Sequence, residues 1–131
     1  MKDTHKVLTL NISCAVIIFA YGYARCRFHF KSNDPIKNVN IGGINGWSMS
    51  HFLFNAAQGY MFPNQWRLCF ILGVAWELLE YYLYNLKSSK LSQYLPCRLS
   101  DGERWVYPDA MDIVFNASGL AFGIWLRKQK K

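Results

Sequence analysis

The chain has 131 residues, 52% of them hydrophobic, 17% aromatic and only 18% charged. That length supports one domain, and the apolar content excludes a disordered chain as well as collagen-like or coiled-coil composition. The net charge is +7, from 15 Lys and Arg against 8 Asp and Glu. Mean hydropathy is near zero, but these averages hide a segregation. The bases sit almost entirely in connecting stretches, whereas Glu77, Glu80, Asp109 and Asp112 fall inside apolar ones.

In chain order, four apolar stretches read as membrane helices. The first covers 7–24 and is rich in Ile, Val, Phe and Ala. It lacks a small-residue cleavage site and three more apolar stretches follow, so an uncleaved helix fits better than a signal peptide. A basic connection and a turn-rich stretch come next, from Ser32-Asn33-Asp34-Pro35 to Gly46, read as loop. The second helix covers 47–62 and ends near Pro63; it is short for a span of roughly 20 residues, which leaves a homo-oligomer open. The third covers 65–86. A polar connection then carries Arg98 and Arg104, and the fourth helix covers 109–126, with Pro108 suited to its start. The expected fold class is therefore all-α: a single integral membrane domain over 1–131, a bundle of about four helices around an inward acidic site. Trp66, Trp105 and Trp125 fall near segment ends, as an aromatic belt places them. Seven bases fall on one side of a four-span topology and eight on the other, so the positive-inside rule casts no vote. The basic residues then sit at head-group level, and the expected partner is a membrane rather than a nucleic acid. Cys14 and Cys69 lie in apolar runs without metal-ligand spacing and read as buried small hydrophobes. A Cys26–Cys97 bridge between two connections is the alternative use of the remaining pair.

The polar residues of these helices fall on stripes. At about 100° per residue, Asp109, Asp112, Asn116, Gly119 and Gly123 share one narrow face of the fourth helix. Gly73, Glu77, Glu80 and Tyr84 share one face of the third, and His51, Asn55 and Gln58 lie within about 60° on the second. The simplest packing points all three stripes inward, and Gly119-x-x-x-Gly123 lets another helix come close. A carboxylate at the centre of a membrane helix costs roughly 2.5–3.5 kcal/mol, and no Lys or Arg lies in the middle of these segments to offset four of them, Arg67 at the end of the third being the nearest. A cation from outside the sequence is the economical answer. The carboxylates and amide favour Ca²⁺, Mg²⁺ or Mn²⁺ over zinc. Glu77, Glu80, Asp109 and Asp112 are its candidate ligands, and His51 is left as a general base. Asp109 also suits a plain helix cap. Asn55, Gln58 and Asn116 are candidate substrate-orienting amides, and Arg98 and Arg104 candidate head-group contacts.

Gly46-Trp47 to His51-Phe52, Trp76-Glu77-Leu78-Leu79-Glu80, Trp105 to Asp112 and Asn116-x-x-Gly119-x-x-x-Gly123 resemble the core of eukaryotic base-exchange phosphatidylserine synthases. The resemblance covers roughly residues 46–126. It implies Ca²⁺-dependent exchange of a phospholipid head group for serine, with His51 as base and Glu77, Glu80 and Asp112 as calcium ligands. It also implies an endoplasmic-reticulum-like membrane in a eukaryotic or viral setting, or the cell membrane in a bacterial one. That family's enzymes are much larger, so a reduced version is implied. The stripe from Asp112 to Gly123 is also similar to the end of VanZ-like membrane proteins, which are small. That likeness implies a lipid-binding or accessory protein without turnover.

Overall fold

The computed structural model describes residues 2–27, 34–85 and 108–130. Arg98, Arg104 and the Cys26–Cys97 pairing lie outside what it describes. Its elements are α1 (Lys2–Arg27), α2 (Pro35–Asn38), β1 (Asn40–Ile41), β2 (Ile44–Asn45), α3 (Gly46–Met61), a 3-10 turn (Pro63–Gln65), α4 (Trp66–Asn85) and α5 (Ala110–Gln129). The all-α class holds, and the four long helices match the expected ones within a few residues, α1 being longer at both ends.

The ends follow local chemistry. Asn45 caps α3 by accepting from the Ser48 amide, and α3 stops at Phe62 because the residue before Pro63 is disfavoured in a helix. Asp109 caps α5 by accepting from the Met111 amide at 2.9 Å. Arg127 and Lys128 occupy the last turn of α5, where cations complement the helix dipole.

The stretch read as loop is more ordered than expected. Asp34 caps the one-turn α2, and a two-residue hairpin follows in which Asn40 pairs with Asn45 and Ile41 with Ile44. Gly42 and Gly43 make its turn with φ of 61° and 87°, the doubly left-handed turn that suits a tight hairpin.

Asp34 is the fastener of this region. Its buried carboxylate accepts from the Tyr21 hydroxyl at 2.9 Å, Arg25 at 3.1 Å, the Trp47 indole at 2.9 Å and the amides of Ile36 and Lys37 at 3.0 and 3.3 Å. One side chain therefore ties the end of α1 to α2 and to the start of α3. Burial alone would raise its pKa. The hydrogen bonds from Trp47, Tyr21 and the Lys37 amide, with the Arg25 charge, outweigh burial and hold it below the ordinary carboxylate value. With the folded pKa below the unfolded one, the contribution is complete above the unfolded value, about pH 4, and is lost as pH falls through the depressed value. Asp34→Ala is expected to destabilise the protein by about 2–4 kcal/mol at pH 7, because it orphans several buried donors at once. Denaturation curves at neutral pH and below pH 4 check this, the difference from wild type shrinking at the acid end.

The four long helices alternate in direction. Gly119 lies against Phe52 and Gly123 against Ala56, so α5 runs parallel to α3. Glu77 meets Asn116, while Cys69 near the start of α4 packs with Leu120 further along α5, so α4 runs opposite to both. Asn11 reaches Gln58, and Tyr21 packs on Trp47, so α1 also runs opposite to α3. At 1.5 Å per residue α3 is about 24 Å long and α4 and α5 about 30 Å. The α3–α5 pair is the tightest. A Cβ at Gly119 would run into the Phe52 carbonyl, one at Gly123 into the Ala56 carbonyl, and one at Gly59 into the Leu120 carbonyl. The expected glycine-mediated approach is therefore present, and Gly59 on α3 adds a reciprocal notch that the sequence reading did not single out.

The distribution of side chains is inverted relative to an ordinary soluble core. Among the described residues the buried hydrophobics are Val7, Cys69 and Leu120. The buried polar and charged residues are Asp34, Ser48, Asn55, Gln58, Glu77, Glu80, Asp112 and Asn116. The outer faces carry Ile12, Val16, Ile17, Leu53, Ile71, Leu78, Val114 and Phe122. By length and apolarity alone, one described helix is long and apolar enough to cross a membrane, the α1 stretch Lys2–Arg25. The shortness of α3 and the three charges within α4 separate them from a simple span. Cys14 and Cys69 are free thiols, Cys69 buried and Cys14 half-buried.

Candidate metal centre

Three helices bring the polar stripes together. His51 comes from the second turn of α3, Glu77 from the middle of α4 and Asp112 from the first turn of α5. One ligand atom from each lies within 4.8 Å of the others, a spacing one ion can bridge. The His51 Nδ1 is 3.3 Å from Glu77 Oε1, and its Nε2 is 3.7 Å from Asp112 Oδ2. Glu77 and Asp112 are both buried, and His51 is nearly so.

The hydrogen bonds fix the histidine tautomer step by step. The His51 backbone carbonyl can only accept, so the Asn55 atom 3.0 Å from it is the amide nitrogen. That nitrogen also donates to Asn116 Oδ1 at 2.7 Å. The other end of the Asn116 amide is then Nδ2, which donates to Glu77 Oε1 at 3.3 Å. His51 Nδ1 lies 3.0 Å from Asn116 Oδ1, and both of its neighbours, Asn116 Oδ1 and Glu77 Oε1, are acceptors. Nδ1 therefore carries the hydrogen, and Nε2 of the neutral ring presents a lone pair toward Asp112. Two lone-pair-bearing atoms facing each other in a buried site call for a positive centre, a proton or a metal ion.

Two further atoms point the same way. Glu77 Oε2 and Asn55 Oδ1 are buried and have no hydrogen-bond partner among the described residues. Orphaned oxygens on residues this deeply buried are costly unless a ligand completes them. Among the described residues no Lys or Arg pairs with Glu77, Glu80 or Asp112, and His51 is an ion-pair partner of Glu77 and Asp112 only when protonated. The donor chemistry fits a divalent cation: two carboxylates, with an amide oxygen and an imidazole nitrogen at hand.

The other expected site residues are placed as follows. Asn116 is the hub, 2% exposed, touching Asn55, His51 and Glu77. Asn55 donates to Asn116 Oδ1 and to the backbone carbonyl of His51. Glu80 is buried on the same face of α4 with Trp76 beside it, but it stands outside the three-residue group. Asp109 is exposed and serves as the α5 cap, so of its two sequence readings the structure takes the cap. Gln58 is fully buried yet bonded to Asn11 of α1 at 2.9 Å. It clamps two helices about 10 Å below His51 along α3. Ser48 is the residue missed: its hydroxyl donates to Asp112 Oδ1 at 2.7 Å and sets the orientation of that carboxylate. Its position three residues before His51, on the same helical face, was the available signal.

Below the site Val7, Cys69 and Leu120 form an apolar floor, with Phe62, Leu68, Phe70, Leu72 and Ile124 around it. The centre thus lies near the bundle end formed by the starts of α3 and α5, and the floor closes it toward the end that carries the N-terminus of α1 and the C-terminus of α5. No family model, curated protein or solved structure matches the chain.

Proposed function

We propose that the protein is a membrane-embedded, divalent-cation-dependent phospholipid head-group transferase of the base-exchange type, with a serine-like acceptor. The observation that carries this reading is the convergence of His51, Glu77 and Asp112 from three helices in a bundle with a polar interior and an apolar exterior. Such an inverted distribution suits a chain whose outer faces meet lipid, and all four long helices would then lie in the bilayer. The order of the motifs supports the reaction class through the resemblance to phosphatidylserine synthases.

Glu77 and Asp112 would hold the cation, their oxygens suiting Ca²⁺, Mn²⁺ or Mg²⁺ and the resemblance favouring Ca²⁺. When bound, it would neutralise charge developing on the lipid phosphate. The chain's own residues do the rest. Asn116 and Glu77 hold the Nδ1 hydrogen of His51, which leaves Nε2 to take the proton of the acceptor hydroxyl as its oxygen bonds the lipid phosphorus, and to give that proton to the old head-group alcohol as its P–O bond breaks. Ser48 fixes Asp112, and Asn55 fixes Asn116. The apolar floor keeps water from the far end out of the site.

A small bundle of four long helices also suits a VanZ-like lipid-binding protein without turnover, and His51→Ala separates the two readings. In purified protein given Ca²⁺, phosphatidylcholine or phosphatidylethanolamine and labelled serine, wild type is expected to form labelled phospholipid. His51→Ala should lose at least about 10²-fold of that rate, the scale of a general base, while still binding the cation. Absence of labelled lipid from the wild type, with cation binding intact, favours the non-catalytic reading.

A further inference from the structure

We propose that the cleft between the start of α4 and the end of α5 binds the phosphate of an anionic phospholipid, at the bundle end opposite the metal centre. The inference rests on the membrane reading above but not on the reaction. The cleft has a volume of about 450 Å³ and is lined by Pro63, Asn64, Trp66, Ile124 and Lys128. Ile124 also borders the apolar floor, so the cleft lies beneath that floor and is separate from the His51 site.

Cations gather around it. Arg127 and Lys130 both sit over the Tyr60 ring, at 5.4 and 5.5 Å, and Arg67 lies over Trp66 at 5.3 Å. The first two bring like charges onto a single ring, and Lys128 stands between them in sequence. Lys2 and Lys6 lie at the same end of the bundle. Among the described residues the only carboxylate at this end is Asp3, which pairs with Lys6 at 3.4 Å. Arg67, Arg127, Lys128 and Lys130 therefore face no carboxylate among the described residues, and a cleft with apolar walls concentrates their field.

The occupant follows from the lining. Lys128 and Asn64 offer donors to phosphate oxygens, and Arg127 lies one residue away. Trp66, Pro63 and Ile124 offer an apolar wall to the glycerol and first acyl carbons, which free phosphate would leave uncovered. A zwitterionic lipid would bring an ammonium group to a place with four cations and no acceptor carboxylate among the described residues. An anionic head group is the one that this charge pattern selects.

The test uses the full chain in nanodiscs of mixed phosphatidylglycerol and phosphatidylcholine, with retained lipids counted by native mass spectrometry. Wild type is expected to retain phosphatidylglycerol over phosphatidylcholine by at least about tenfold, the effect of one to two cations at a lipid surface. Arg127→Gln with Lys128→Gln should abolish most of that preference, while Lys37→Gln at the other end should keep it. Equal retention of both lipids by wild type, or an undiminished preference in the double variant, overturns the proposal. So does displacement of the lipid by inorganic phosphate as readily as by short-chain phosphatidylglycerol. Cation binding at the His51 centre is measured in the same samples. Its absence beside an intact lipid preference would sink the proposed reaction and leave this site standing.

Discussion

Glu77→Gln is expected to lower the proposed cation-dependent head-group exchange by about 10²–10³-fold, the scale of removing one preorganised electrostatic contact from a buried site. The same change at Glu80, and Asp109→Asn, should each cost less than about tenfold by the same reasoning, since neither residue belongs to the three-residue group. Glutamine keeps the shape of Glu77 and leaves an amide at Oε2, which has no partner among the described residues. The variant should therefore fold, and should resist denaturation at least as well as wild type in the absence of metal, because a buried carboxylate has been removed. Activity falling while stability holds or rises is the mark of a residue kept for function. Parallel measurement of labelled-serine incorporation and of detergent denaturation midpoints separates the three acids. A Glu80→Gln loss equal to that of Glu77→Gln would contradict the geometry described for the site.

Gly123→Leu is expected to be the most destabilising single change in the bundle, by about 3 kcal/mol or more, toward the upper range of overpacking effects. The clash is with the Ala56 carbonyl and the Tyr60 amide. These are backbone atoms that cannot rotate away, so α3 and α5 must separate. That separation has a second consequence. Ser48, His51 and Asn55 stand on α3, while their partners Asp112 and Asn116 stand on α5. Cation affinity should fall together with stability, although Gly123 lies far from the site. Val114→Ala, also on α5 but exposed, should change stability by no more than about 0.5 kcal/mol. Reversible unfolding in mixed micelles, read alongside cation binding, checks both parts.

Much of the bundle was legible because a helix turns its residues at a fixed angle. Asp112, Asn116, Gly119 and Gly123 were expected on one face of α5, and all four are buried there. Glu77 and Glu80 on α4, and Asn55 and Gln58 on α3, followed the same rule. Angle, however, fixes a face and not a depth. Gln58 lies in phase with His51 but two turns further along, so it meets Asn11 of α1 instead of the His51, Glu77 and Asp112 group. Asp109 was ambiguous for a different reason. A carboxylate at a helix start can cap the helix or face the interior, and the extended backbone of Asp109 selects the cap. The Asp34 cluster left no periodic trace. Its donors come from Tyr21, Arg25, Ile36, Lys37 and Trp47, a set gathered by the fold of the connection and not by any spacing along one element. Gly59 escaped notice because a single glycine carries no pattern until the partner helix supplies the opposing carbonyl.

Glu77 and Asp112 are proposed to hold one divalent cation beside His51 within the bundle. The most direct measurement is a titration of the purified full chain with Mn²⁺, counting bound ions by electron paramagnetic resonance. The expected result is one saturable site per chain, emptied by Ca²⁺ competition and missing from the Glu77→Gln, Asp112→Asn double variant. No saturable binding in a folded wild type, or the same site in the double variant, would contradict the account.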